Sequence, residues 1–183
     1  MKTIAFVRNA VSPRMYNQVY ALKQTNKYRL ILVCKTFDQY ALGRFNNVFD
    51  EIVCYQPIDL QKHGLGQNIK SSLSVHFMKY VIAHYIDARV GRLSERMKLP
   101  PLLKKLEPDM FNCLGTSKLT ANVIKNAECP VVLDFHNGTI GEGIENLSKE
   151  EHDRDKYCFE HANGIVHRGP DLEIDYYRNH GYK

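Results

Sequence analysis

Thr3-Ile4-Ala5-Phe6-Val7-Arg8-Asn9-Ala10-Val11-Ser12-Pro13 opens on an apolar run, passes through a polar turn and closes on a helix-start signal. A strand with one wet face alternates apolar and polar residues, whereas Ile4-Ala5-Phe6-Val7 does not, so this strand is covered on both faces. Ser12 can accept from the first helical amides, and Pro13 presets the backbone at the first helical position. A doubly covered strand that turns directly into a helix is the unit of a parallel sheet flanked by helices.

The same alternation continues along the chain. Aliphatic or β-branched runs at Thr3–Arg8, Arg29–Cys34, Glu51–Tyr55, Asp109–Cys113, Val131–Phe135 and Gly164–His167 read as strands. Helix-length segments lie between and after them at Pro13–Gln24, Asp38–Asn46, Ser72–Lys98, Ser117–Asn126, Ser148–Ala162 and Asp171–His180. This order predicts one α/β domain over residues 1–183, a Rossmann-like three-layer α/β/α sandwich with a mainly parallel sheet. The stretch Gln56–Ser71, with Pro57, Gly64 and Gly66, reads as a long loop, and Pro100-Pro101 as a second break.

Composition sets outer limits. The chain has 183 residues, of which 44% are hydrophobic and 25% charged, with a net charge of +5. That is globular composition, short of the charge of a dedicated nucleic-acid binder, so no nucleic-acid partner is expected. No apolar run approaches the roughly 20 residues of a membrane span, and the start is charged too early for a signal peptide, so a cytoplasmic location is expected. Cys34, Cys54, Cys113, Cys129 and Cys158 are odd in number and include no C-x-x-C pair, which reads as reduced thiols rather than a disulfide framework or zinc site.

In an open parallel sheet, ligands gather beyond the carboxyl ends of the strands, where strand order reverses. The residues there are Arg8, Asn9 and Ser12 after the first strand and Gly115, Thr116 and Ser117 after the fourth. His136, Asn137 and Gly138 follow the fifth strand, and Arg168 the sixth. This polar set suits hydroxyl-rich or anionic ligands. The first turn lacks G-x-G-x-x-G and no Walker A loop is present, which argues against conventional NAD or P-loop nucleotide sites. Thr116 and Ser117 could face a ligand at a helix N-terminus or simply cap that helix. His136 could act on a substrate hydroxyl or serve as a structural hydrogen-bonder, and Asp134, inside a buried strand, calls for a fixed partner.

Three segments carry a resemblance. Pro108-Asp109-Met110-Phe111-Asn112-Cys113 is followed by Cys129-Pro130-Val131-Val132-Leu133-Asp134-Phe135-His136-Asn137 and later by Ala162-Asn163-Gly164-Ile165-Val166-His167-Arg168. In order and spacing they resemble the amino-terminal half of a GT-B glycosyltransferase of the large retaining group 1, family 4 type. The resemblance implies an acceptor-binding domain, with transfer from a nucleotide-sugar to a polysaccharide, lipid-linked or other envelope acceptor. It implies that a second domain, beyond Lys183, or a separate subunit binds the donor, so this half alone is expected to be inactive and to hold no cofactor. His136 matches the family's cleft histidine, which implies contact with the transferred sugar. At the first turn the chain has Asn9-Ala10 where the family often carries a glycine pair. A non-catalytic Rossmann-like subunit that anchors a donor-binding protein is the opposing reading.

Two charged poles remain. Arg89, Arg92, Arg96, Lys98, Lys104 and Lys105, against Glu95 alone, are interleaved with Leu93, Met97, Leu99, Leu102 and Leu103. Such a run fits either a solvated helix face or a segment for an anionic membrane surface at the inner face. The carboxylates from Glu142 to Asp155 fan out at helical spacing, so no metal site is expected, and Ser148 with Glu151 reads as a capping box.

Overall fold

The computed structural model describes residues 1–9, 11–35, 46–56, 85, 89–135, 146–167, 175, 177–179 and 181. The expected helices at 38–46 and 171–180, most of the one at 72–98, and the loop 57–71 therefore fall largely outside the described residues. Six parallel strands form one sheet in the order β3-β2-β1-β4-β5-β6, with β1 Lys2–Val7, β2 Tyr28–Cys34, β3 Glu51–Cys54, β4 Met110–Leu114, β5 Val131–Phe135 and β6 Gly164–His167. The order runs outward in both directions from the β1–β4 pair, so the reversal of a doubly wound sheet lies between these two strands.

The apolar strands are covered on both faces, as their sequences require. Along β1, Ile4 and Phe6 pack with Met15 and Val19 of α1 (Pro13–Gln24), while Ala5 and Val7 join Leu99, Leu119 and Val123 on the other side. That second layer is built by α2 (Leu99–Leu106), α3 (Lys118–Asn126) and α4 (Lys149–His161). Phe111, Leu133 and Leu30 are among the fully buried side chains. Each contributes about 1.5–3 kcal/mol by leaving water.

The helix starts follow local chemistry. The Ser12 hydroxyl accepts from Met15 N, the Ser117 hydroxyl from Thr120 N, and Ser148 and Glu151 form the reciprocal capping box. The break expected at Pro100-Pro101 is only a turn at Lys98 between the helical stretch 89–97 and α2. Prolines are tolerated there because the amides of a helix's first turn have no intrahelical partner, and Leu99 and Leu103 then bury one side of α2. All five cysteines are free thiols, and no helix among the described residues is long and apolar enough to cross a membrane.

Candidate functional site

Strand parity places three polar residues side by side on the sheet face that carries α1. Ile4 and Phe6 point to that face, so Arg8, one residue past β1, does as well; on β4 and β5 the same parity selects Asn112 and Asp134. Arg8 donates through Nη2 to Asn112 Oδ1 at 2.5 Å and reaches Asp134 Oδ2 at 3.4 Å. The Arg8 and Asp134 side chains are only 3% and 4% exposed, so this is a buried ion pair across the switch point. Burial pushes the Arg8 guanidinium below its ordinary range, and the charge of Asp134 opposes that effect. Burial also pushes the nearby Cys113 thiol up to about 12, the positive charge of Arg8 working against it.

Arg8 keeps one valence open. Its Nη1 is buried and has no hydrogen-bond partner among the described residues. Arg8 and Asp134 line a cleft of about 190 Å³ with Ser12, Gln18 and the apolar side chains Val11, Met15 and Leu114. The first turn of α1 stands at this cleft and adds the positive end of the helix dipole. The volume is below the ~300 Å³ typical of a drug-sized ligand site, so the described cleft suits one group of a larger ligand, such as a phosphate or a sugar ring. A guanidinium whose charge is matched by Asp134, with donors to spare, can bind a neutral hydroxyl without introducing an unpaired charge; an oxyanion adds a negative charge that shares Arg8 with Asp134 and that the α1 dipole helps to offset.

The other expected site residues take different places. Ser12 lines the cleft while capping α1. Asn9 faces the β2–β3 side, where its Oδ1 accepts from Lys35 N and from the Tyr55 hydroxyl, both at 3.1 Å. Gly115 holds φ +57 and donates from its amide to Asp134 O at 3.1 Å, so it shapes the turn beside the cleft. Thr116 O accepts from Arg154 Nε at 2.6 Å, and Ser117 caps α3. Asp155 is buried, accepts from Thr116 and pairs with Arg154, and burial raises its carboxyl above the usual range. The β4–α3 turn is thus clamped from α4, and the capping reading of Ser117 describes what that residue does in this structure. His136, Asn137, Gly138 and Arg168 lie outside the described residues.

Asn112, Val11 and Met15 were absent from the sequence-derived set. Asn112 had a usable signal, a lone amide in the apolar strand Met110-Phe111-Asn112-Cys113, because a polar residue inside a buried strand must find a partner. No cluster of three or more metal-ligating side chains occurs among the described residues.

No protein-family model matches the chain, and no curated protein matches it. Solved structures do. A UDP-N-acetylglucosamine 2-epimerase aligns with TM-score 0.57 and 12% identity over 100% of this chain and 46% of its own. The UDP complex of MnaA from S. aureus aligns with TM-score 0.56 and 16% identity over 100% of this chain and 41% of its own. A third, described as a putative UDP-N-acetylglucosamine 2-epimerase from Listeria monocytogenes, aligns with TM-score 0.55 and 10% identity over 100% of this chain and 43% of its own. At these identities the likeness establishes the fold, a Rossmann-like domain of the kind that forms one half of GT-B proteins. The chain spans less than half the length of each of these three proteins.

Proposed function

We propose that this chain is one Rossmann-like half of a GT-B enzyme acting on a nucleotide-sugar, and that the Arg8 cleft contacts a charged or hydroxyl-bearing group of its substrate. The observation that carries the reading is the buried Arg8–Asp134 pair at the β1–β4 reversal, with Arg8 Nη1 left for a ligand. The fold likeness to proteins described by UDP or a UDP-sugar supports a nucleotide-sugar over other anionic ligands.

Within that class, the sequence resemblance favours glycosyl transfer, with this half binding the acceptor, Arg8 reaching the nucleotide-sugar from across the interdomain cleft and His136 contacting the sugar. The anomeric carbon–oxygen bond to the diphosphate breaks, an acceptor hydroxyl forms the new bond, and the acceptor proton and the nucleoside diphosphate leave. Epimerisation is the second reading, favoured by the names of the three aligned structures. The full chain incubated with UDP-N-acetylglucosamine, with and without a sugar acceptor, separates them by product analysis. Free UDP with a glycosylated acceptor supports transfer, and an isomeric UDP-sugar with no UDP release supports epimerisation. Absence of binding and turnover with any nucleotide-sugar overturns the proposal.

A further inference from the structure

Cys34 and Cys54 are the last residues of β2 and β3, and they pair directly in register across these parallel strands. Their sulfurs lie 3.6 Å apart. Both side chains turn to the face that carries α1, since Cys34 belongs to that core layer and Cys54 packs against it. In-register neighbours in a sheet stand about 4.8 Å apart at Cα, inside the range of roughly 4.4–6.8 Å that a disulfide spans. Bonding therefore asks only for χ1 rotation that brings the sulfurs about 1.5 Å closer. β3 lies at the edge of the described sheet and is paired on one side, so it can follow that movement.

The two sulfurs differ in access. Cys34 is fully buried, whereas Cys54 is half-buried. Contact with Cys54, together with burial, holds the Cys34 thiol well above the ordinary thiol range. A reagent thus meets Cys54 first, and Cys34 stands behind it as the resolving thiol. Cys113 and Cys158 are buried in the opposite core layer, and Cys129 precedes β5, at the other end of the parallel strands.

We propose that Cys34 and Cys54 form a thiol–disulfide exchange site that takes a small organic disulfide as co-substrate and closes to a reversible bridge. Cys54, as thiolate, attacks one sulfur of the small disulfide, whose S–S bond breaks and releases a first thiolate. The Cys34 sulfur gives up its proton, attacks the Cys54 sulfur of the mixed disulfide and expels the second thiolate. The two protons and two electrons lost by the protein end on the two small thiols. The bridge lies one residue before Lys35 and Tyr55, which both donate to Asn9 Oδ1 at 3.1 Å, so it braces the tether of the turn next to Arg8. The inference is independent of what the Arg8 cleft binds.

The test is incubation of the folded full chain with oxidised glutathione, followed by acid quench, thiol counting in denaturant and peptide mapping. Wild type should lose the thiols of Cys34 and Cys54 out of the five free cysteines described, yield a single Cys34–Cys54 cross-linked peptide, and regain both thiols with dithiothreitol. Cys34→Ala should stop at the mixed disulfide, with one glutathione on Cys54, and Cys54→Ser should leave Cys34 unmodified. A cooperative unfolding transition verifies that each variant folds, and the wild-type map decides the proposal without either. Retention of both thiols, a mixed disulfide that persists in wild type, or a bridge between other cysteines would overturn it.

Discussion

Arg8 and Asp134 are 126 positions apart in sequence, yet Arg8 Nη2 lies 3.4 Å from Asp134 Oδ2 with both side chains almost fully buried. The sheet brings them together because β1 and β5 both pair with β4, and Asn112 on that strand accepts from the same Nη2. Removing one partner strands a buried charge. Arg8→Met and Asp134→Leu should each cost about 3–5 kcal/mol, while the two substitutions together should cost much less than their sum. Urea unfolding of the four proteins measures this, and strict additivity would refute the coupling.

Gly115 takes φ +57 with nothing among the described residues within 4 Å of where a Cβ would sit, so its role is conformational. Gly115→Ala should destabilise by about 1 kcal/mol or slightly more, and Gly115→Asn by less, since asparagine tolerates the left-handed region. Thermal unfolding distinguishes this from a steric role, for which asparagine would be the worse substitution.

Ser148 starts α4 through its capping box with Glu151, and α4 in turn holds the β4–α3 turn through Arg154 and Asp155. Ser148→Ala should lower stability by about 1 kcal/mol. Hydrogen exchange should show the faster opening spreading from α4 to the amides around Thr116; exchange confined to α4 would break the proposed link.

Asp155 gives a pH dependence with a definite sign. Burial raises its carboxyl above the ordinary 3.8, so the native state binds the proton more tightly than the unfolded chain does. Its contribution is fully present below pH 3.8 and is lost as pH rises through the higher native value. Asp155→Asn should therefore gain stability relative to wild type as pH rises through this range. A difference that stays flat or reverses across the titration would contradict the assignment.

Much of the fold was legible because its signals are local. Unbroken apolar runs such as Leu30-Ile31-Leu32-Val33 mark doubly covered strands, and serines at 12, 117 and 148 mark helix starts. The helix Leu99–Leu106 escaped because two adjacent prolines read as a break, although in a first helical turn they cost no hydrogen bond. The cleft was half legible. Arg8 and Ser12 follow from position after β1, and Asp134 had announced its need for a partner. That the partner is Arg8 depends on strand order, which no local pattern encodes. Asn9 and Arg8 are neighbours in sequence but turn to opposite sides of the sheet, and only the pairing with Lys35 and Tyr55 decides it for Asn9.

The most direct test of the central claim is calorimetric titration of the full chain with UDP-N-acetylglucosamine, in wild type and Arg8→Lys. Lysine keeps a cation beside Asp134 but loses the forked guanidinium, so the variant should still fold, as its unfolding transition would verify. The account predicts measurable binding by wild type and a loss of roughly ten-fold or more in Arg8→Lys, in line with a charge-assisted bond of about 1.5–3 kcal/mol. Equal affinity in the two folded proteins, or no binding of the nucleotide-sugar by wild type, would contradict it.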